Sequence, residues 1–345
     1  MQGLILGAGQ GRRLQPLTCI VAKPALRIVD KPLIWHIVRS LIQLGVNSIF
    51  VTLYHKAESV LTLGLEAQFG LPIDFLIEPE LLGTGGGIKN AMRFITDDHL
   101  LICNGDALWV FNLKPVVDEH ITSGRDLTLV LTATSDWQEY SAIRTDEGGR
   151  VVRIGTLAEI PHWTGHLSAP YTFTGIYILN TSLLEHLPNM RVFDFVSDFI
   201  VPLMMSGFHI QGSVVTGFWM DIGTFERYLR GSLHFAERIK GTAVKYVAGQ
   251  DCSIAEGAEV VNCILWDYVS IAPHAQLRSC IAVDWVNLDT PVQLENALLF
   301  PDRVVCSELT EFDSVHVSHV WAFPVNLSSA MSGRQAANKQ GGTQK

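Results

Sequence analysis

Leu4-Ile-Leu-Gly-Ala-Gly-Gln-Gly-Arg-Arg-Leu-Gln-Pro-Leu-Thr18, followed by Ala22-Lys23-Pro24, is the stretch on which the reading of this chain turns. A short apolar run leads straight into glycines at 7, 9 and 11. Without a Cβ, the backbone N–H groups there can approach phosphate oxygens closely. Two familiar cradles are excluded. No Gly-Lys-Ser/Thr follows, as a P-loop needs, and the third glycine arrives one residue too early for G-x-G-x-x-G. Residues 1–31 hold Arg12, Arg13, Lys23, Arg27 and Lys31 against Asp30 alone, a local charge of +4 in a chain of net charge −9. Arg clamps two oxygens at once and Lys supplies a point charge, so this cationic loop suits a polyphosphate better than it suits a solvated basic surface.

Outward from that loop, β-rich apolar runs alternate with helical patterns as far as about Phe235, the mark of a parallel sheet with helices on both faces. The pattern predicts strands at Gly3–Leu6, Val46–Leu53, Ile73–Ile77 and Leu100–Asn104, with a helix over Pro32–Leu44 ended by Gly45. Leu127–Thr132, Ser141–Ile154 folded at Gly148-Gly149, and Tyr171–Leu179 read as an antiparallel insert covering one side of a cleft. After about Lys245 the period changes. Ile254, Val260, Leu265, Ile271, Leu277 and Val283 follow each other at six, five, six, six and six. That spacing predicts about two coils of a left-handed β-helix, with Leu288, Leu294 and Leu299 continuing irregularly. A small β-sandwich is the competing reading. The expected fold is therefore α/β: a Rossmann-like domain over 1–240 with a mostly parallel central sheet, a short β-helix over 246–325, and a disordered tail over 327–345.

The opening loop resembles that of the sugar-1-phosphate nucleotidyltransferases, the NDP-sugar pyrophosphorylases, whose signature is close to L-x-G-G-x-G-T-R-L-x-P-L-T-x-x-x-P-K-P. Gly9, Gly11, Arg13, Leu14, Pro16, Leu17, Thr18, Lys23 and Pro24 fall at matching positions. Ala8, Arg12 and Ala22 depart from it. Glu80-Leu-Leu-Gly-Thr-Gly-Gly-Gly-Ile-Lys-Asn-Ala91 looks like the family's base-contacting L-G-T-A-G segment, Cys103-Asn-Gly-Asp106 like its strand-end G-D, and Phe218-Trp-Met-Asp-Ile-Gly-Thr224 like its W-x-D-I-G-T. The resemblance spans about residues 3 to 235.

It implies an enzyme that joins a nucleotidyl group from an NTP to a sugar 1-phosphate, releasing pyrophosphate. Arg13 and Lys23 would be catalytic, the first on the leaving pyrophosphate and the second on the reacting phosphates. Leu6, Ala8, Gly9, Gly11, Arg12, Glu80, Gly83, Thr84 and Gly85 would bind the nucleotide. Asn104, Glu159, Thr174 and Gly175 would hold the sugar phosphate, and Asp106 and Asp221 would jointly bind Mg²⁺. Each aspartate ends an apolar strand-like run, where ligands of open α/β sheets bind, and Mg²⁺ takes one or two protein carboxylates beside phosphate oxygens. Leu82-Gly-Thr84 and the β-helix resemble mannose- or heptose-1-phosphate guanylyltransferases. The L-G-A-G opening, the T-G-G-G segment and Phe173-Thr-Gly-Ile176 resemble N-acetylmuramate-1-phosphate uridylyltransferases. GTP is thus favoured, then UTP with an amino sugar 1-phosphate. Where many relatives carry an E-K-P lysine for the sugar phosphate, this chain has Glu159-Ile160-Pro161, which passes that role to Arg153, His162 or another cation. Ile160 also favours the alternative of a catalytically silent regulator that binds nucleotide sugars.

Other classes fall away. At 48% apolar and 17% charged the 345 residues are too hydrophobic for a disordered chain and suit about two domains. The acidic balance argues against a nucleic-acid partner. The opening has no basic n-region, so a cytoplasmic protein without a leader is expected. The stretch from Phe199 to Met220 has no charge, but Pro202, Gly207, His209, Gln211, Gly212 and Gly217 break it into helix, turn and strand, which excludes membrane insertion. Six cysteines without a C-x-x-C pair read as reduced, mostly buried thiols. His316 and His319 lack a third ligand in sequence and read as surface residues. Trp266, Tyr268 and Trp285 read as packing at an edge or subunit interface, and the coils' open ends point to a homo-oligomer formed through the C-terminal domain.

Overall fold

A computed structural model describes residues 1–134, 137–161, 163–304, 307–317 and 319–325. The expectations for His162, Cys306 and the tail at 327–345 lie outside the described residues. The chain packs as two compact units: Met1–Gln10, Ala22–Leu26 and Pro32–Asp221 form the first, and Gly11–Val21, Arg27–Lys31 and the chain from Ile222 onward form the second.

In the first unit, strands Ile73–Ile77, Ile49–Leu53, Gln2–Leu6 and His99–Asn104 lie side by side in that spatial order, all parallel. The chain builds outward on one side of Gln2–Leu6 and then crosses to the other, so its carboxyl end is the switch point where such sheets bind ligands. These strands are near-continuous apolar runs because both faces are covered. Leu4, Ile5, Ile49, Val51 and Ile102 are fully buried, and the helix Leu33–Gln43 turns Leu33, Ile34, Ile37, Val38 and Leu41 inward at helical spacing. Beyond His99–Asn104 the pairing turns antiparallel: Tyr171–Asn180 joins it, and Leu127–Thr132, Ala142–Thr145 and Val151–Ile154 follow. The charge-free stretch resolves into helix Val201–Met205, strand Ile210–Val215 and strand Phe218–Asp221. No helix among the described residues is long and apolar enough to cross a membrane.

The second unit holds a three-sided parallel β-helix whose coil is 17 residues long, not 18. Tyr246 pairs with Cys263, Ser253 with Ser270, Glu259 with Gln276, and the next coil repeats each step to Asn287 and Gln293. Three coils are complete, and Ala297–Pro301 begins a fourth before the antiparallel strands Val320–Pro324 and Val315–Val317 cap it. The two coils expected from six-residue spacing were an undercount. One short corner per coil makes Ile254, Ile271 and Leu288, and likewise Val260, Leu277 and Leu294, regular at 17 where a six-residue count sees irregularity. Left-handed backbone recurs at the same interval, at Asp251, Tyr268 and Trp285 and at Asn262, Ser279 and Asn296. Tyr268 and Trp285 stack on each other at 4.0 Å on the outer corner, whereas Trp266 is buried and donates its Nε1–H to Tyr228 at 3.0 Å. The helix Phe225–Lys240, capped by the Thr224 side chain, packs against the first coils.

Candidate active site

At the switch point Leu6 and Asn104 are in register, and the Gly105 N–H donates to Leu6 O at 2.8 Å. A Cβ on Gly105 would stand 2.9 Å from Leu6 O and 3.0 Å from Gly7 Cα, so the two strand ends come this close only because glycine occupies 105. Asp106 follows in a turn and Ala107–Val110 runs back as a short strand. That strand pairs antiparallel with Phe218–Asp221, which sets Asp221 opposite Ala107. Two aspartates 115 residues apart in sequence are thereby brought to one ladder end.

Each aspartate has a polar partner. Lys23, on the short turn Lys23–Ala25, sets its Nζ 2.5 Å from Asp106 Oδ2. Tyr140, from the antiparallel insert, donates its hydroxyl to Asp221 Oδ1 at 2.5 Å, with its ring edge-on to Trp219. Trp219 in turn donates Nε1–H to Thr174 O at 2.9 Å. Thr174 is buried and its hydroxyl donates to Val130 O, so its side chain braces the strand. Gly175 has φ +78°, and a Cβ there would strike Asn104 Nδ2 at 2.5 Å. The Asn104 Oδ1 so sheltered is buried without a hydrogen-bond partner.

The glycine-rich segment forms the helix Gly83–Ala91, although four of its nine residues are glycines that cost about 1 kcal/mol each relative to alanine. Close packing explains the choice: a Cβ on Gly83 or Gly86 would lie 2.5 or 2.4 Å from the carbonyls of Phe193 or Arg191, and one on Gly85 would enter the Phe193 ring. The N–H groups of Gly85 and Gly86 donate to Phe193 O, and the Thr84 hydroxyl donates to Asp194 and accepts from Phe195 N. Hydrogen bonds within the protein thus engage Thr84 and Gly85, two residues expected to meet the nucleotide. Glu80 pairs with Arg191 at 2.9 Å on the surface.

Sequence reasoning passed over Glu78. Its side chain is 3% exposed; Oε2 accepts from Leu82 N at 3.0 Å, while Oε1 is buried with no partner beside Gly87. Burial pushes its carboxyl above the usual carboxylate range, opposed by the Leu82 N–H. A Glu buried at the foot of a glycine-rich helix was the available signal.

The remaining expected residues are scattered more widely. Ala8 is half-buried and Gly9 is exposed with open space around its Cα. Gly11, Arg12 and Arg13 belong to the second unit. Gly11 has φ +62° and lies against Thr18, whose hydroxyl donates back to Gly11 O and closes the loop on itself. Arg13 lines a cavity of about 400 Å³ with Gln15, Phe225, Phe312, Asp313 and Phe323. In the insert, Glu159 lies 3.4 Å from Arg153, and Ile160 packs on the apolar cluster. His316 and His319 both reach Asp302, at 2.6 and 3.4 Å, yet among the described residues no three His, Cys, Asp or Glu side chains converge as a metal site.

With this geometry in view, comparison with known proteins is informative. A family model described as nucleotidyl transferase matches residues 2–238. A mannose-1-phosphate guanylyltransferase of Mycobacterium tuberculosis is 30% identical over 245 residues, covering 70% of this chain and 66% of that protein, just under two thirds of its length. A D-glycero-alpha-D-manno-heptose 1-phosphate guanylyltransferase of Aneurinibacillus thermoaerophilus is 29% identical, covering 68% of this chain and 95% of that one. A UTP–glucose-1-phosphate uridylyltransferase of Synechocystis is also 29% identical, over 68% of this chain and 63% of that protein. Among solved structures, HddC from Yersinia pseudotuberculosis superposes with a TM-score of 0.56 at 27% identity, covering 68% of this chain and 99% of that one. The same protein is known complexed with GMP-PN.

Proposed function

The chain belongs to the nucleotidyl transferase family, and on that footing we propose that it transfers a guanylyl group from GTP to mannose 1-phosphate or a heptose 1-phosphate. A phosphate oxygen of the sugar phosphate bonds to the α-phosphorus while the bond to the α,β-bridging oxygen breaks, and pyrophosphate leaves with that electron pair. No protein nucleophile takes part, so catalysis is positioning and charge neutralisation. The single observation that carries the reading is Lys23 paired with Asp106 at the sheet's switch point, with Asp221 on the adjoining strand.

The family generally uses a divalent metal ion. Asp106 and Asp221 fit one: they offer only oxygen, and each already binds a positively polarised group, the Lys23 ammonium or the Tyr140 hydroxyl. We assign them Mg²⁺, which when bound would bridge and neutralise phosphate oxygens. Tyr140 fixes the orientation of Asp221, and Lys23 is held where it can neutralise the reacting phosphates. Arg13 takes the leaving pyrophosphate. The bare Asn104 Oδ1 accepts a sugar hydroxyl, and Arg153 beside Glu159 supplies the cation that Ile160 cannot.

Glu78 favours guanine. The guanine edge presents N1–H and N2–H₂ donors side by side, which a carboxylate accepts together. Uracil offers a single N3–H flanked by carbonyls and would set one of them against Glu78 Oε1. A buried acceptor left unpaired is the stronger source of discrimination. The test incubates the protein with Mg²⁺, GTP or UTP, and mannose, heptose, glucose and N-acetylhexosamine 1-phosphates while following pyrophosphate. Release fastest with GTP and the mannose or heptose substrate is expected. Nucleotide binding without release from any pair would establish the silent regulator instead.

A further inference from the structure

Arg27 lies four residues beyond Lys23, on the two-residue strand Arg27–Ile28, and packs with the β-helix. Its Nη2 meets Asp267 Oδ2 at 2.6 Å and its Nε faces Asp284 Oδ1 at 3.6 Å. These aspartates occupy the same place on successive 17-residue coils. Its carbonyl is held as well, accepting at 2.6 Å from the hydroxyl of the fully buried Tyr228, which itself accepts from Trp266.

Within the β-helix each aspartate has a task that needs no charge. Asp267 Oδ1 accepts from Gln250 N at 2.9 Å, and Asp284 Oδ1 accepts from Asp267 N at 2.9 Å. A Cβ on Gly249 would lie 2.2 Å from Asp267 Oδ1, so that corner is built around the side chain. Asparagine would satisfy both ladder bonds as an acceptor. Two carboxylates stacked one coil apart, one of them nearly buried, repel each other and oppose stability unless a cation lies between them. Arg27, contributed by the segment between the catalytic lysine and the helix Leu33–Gln43, is that cation.

We propose that Arg27 is a positioning residue: clamped by Asp267 and Asp284, it fastens the segment 11–26, with Arg13 and Lys23, to the β-helix and makes that module part of the catalytic apparatus. The proposal rests on the functional reading above. Between Lys23 and Arg27 stand only Pro24, Ala25 and Leu26, in a turn closed by Leu26 N donating to Lys23 O at 3.1 Å. Slack at Arg27 therefore reaches Lys23 with little to absorb it. Groups aimed at a developing transition state lose most when they drift, because their geometry is set in advance.

The test uses the full chain with Arg27→Met, Arg27→Lys, the double variant Asp267→Asn/Asp284→Asn, and Leu277→Ala as a control that weakens the β-helix core without touching the clamp. Turnover is normalised to the folded fraction from circular dichroism, and amide hydrogen exchange is followed in residues 12–26. Arg27→Met and the double variant should lower kcat about tenfold with the KM for GTP within about twofold, and speed exchange in 12–26. Arg27→Lys should recover part of the loss, and Leu277→Ala should change neither readout. The inference is overturned if folded Arg27→Met and the double variant keep wild-type kcat, if exchange in 12–26 is unchanged, or if Leu277→Ala reproduces their effects. A wild-type protein that releases no pyrophosphate defeats the functional reading, while the exchange measurement still decides whether Arg27 restrains 12–26.

Discussion

The switch point of the parallel sheet and the corner stack of the β-helix solve opposite problems with the same residue types. At the sheet end each position is singular: Gly105 is dictated by Leu6 O and Gly7, Gly175 by Asn104, and Asp106 by its pairing with Lys23. In the β-helix each position has a counterpart one coil away, so Val260, Leu277 and Leu294 share one buried column. A change at the sheet end should therefore strike the chemistry, whereas one in the coils should strike stability and leave turnover per folded molecule alone. Arg27 marks where the separation breaks down, since it is bound by the repeat yet adjoins the singular site.

The largest effect expected is on chemistry. Lys23→Ala, Arg13→Ala and Asp106→Asn should each cut pyrophosphate release at least about a hundredfold, on the order of 3 kcal/mol or more of transition-state stabilisation. Near-wild-type turnover in any one of them removes that residue from the mechanism. Next, Leu277→Ala deletes a side chain that is 1% exposed on the middle coil and should cost about 3 kcal/mol in denaturant-measured stability, with kcat per folded molecule unchanged. A changed kcat would mean that the coils and the chemistry are coupled beyond the clamp.

The same contrast governs what the sequence could disclose. The parallel strands, the hairpin at Gly148-Gly149 and the break of the charge-free stretch were legible because periodicity and turn residues are local signals. The coil count was not, because a six-residue ruler laid on a 17-residue repeat drifts by one residue per turn. Asp106 and Asp221 were legible through their motifs. Glu78 and Tyr140 were not, because each gains its meaning from burial or from a partner distant in sequence: Glu78 Oε1 is bare only once the helix Gly83–Ala91 covers it, and Tyr140 reaches Asp221 across 81 residues. Glu78→Gln should lower kcat/KM for GTP about thirtyfold, near 2 kcal/mol, and narrow its advantage over UTP. An unchanged GTP-to-UTP ratio would sever Glu78 from base choice.

The smallest predicted effect is the most specific. Tyr140→Phe keeps the ring against Trp219 but deletes the hydroxyl that donates to Asp221 Oδ1, so packing survives while the carboxylate loses its orientation. Partners that orient a metal-binding carboxylate typically matter about tenfold or more in metal affinity or activity. Tyr140→Phe should therefore raise the Mg²⁺ concentration for half-maximal rate about tenfold, with the rate at saturating Mg²⁺ restored to within a few-fold of wild type. Asp221→Asn, which weakens the ligand itself, should not be rescued by added metal. If Tyr140→Phe lowers the saturated rate as deeply as Asp221→Asn while its Mg²⁺ requirement stays put, the hydroxyl acts on substrate and not through the aspartate. The insert would then supply a catalytic group, and the division between singular chemistry at the sheet end and support from elsewhere would have to be drawn anew.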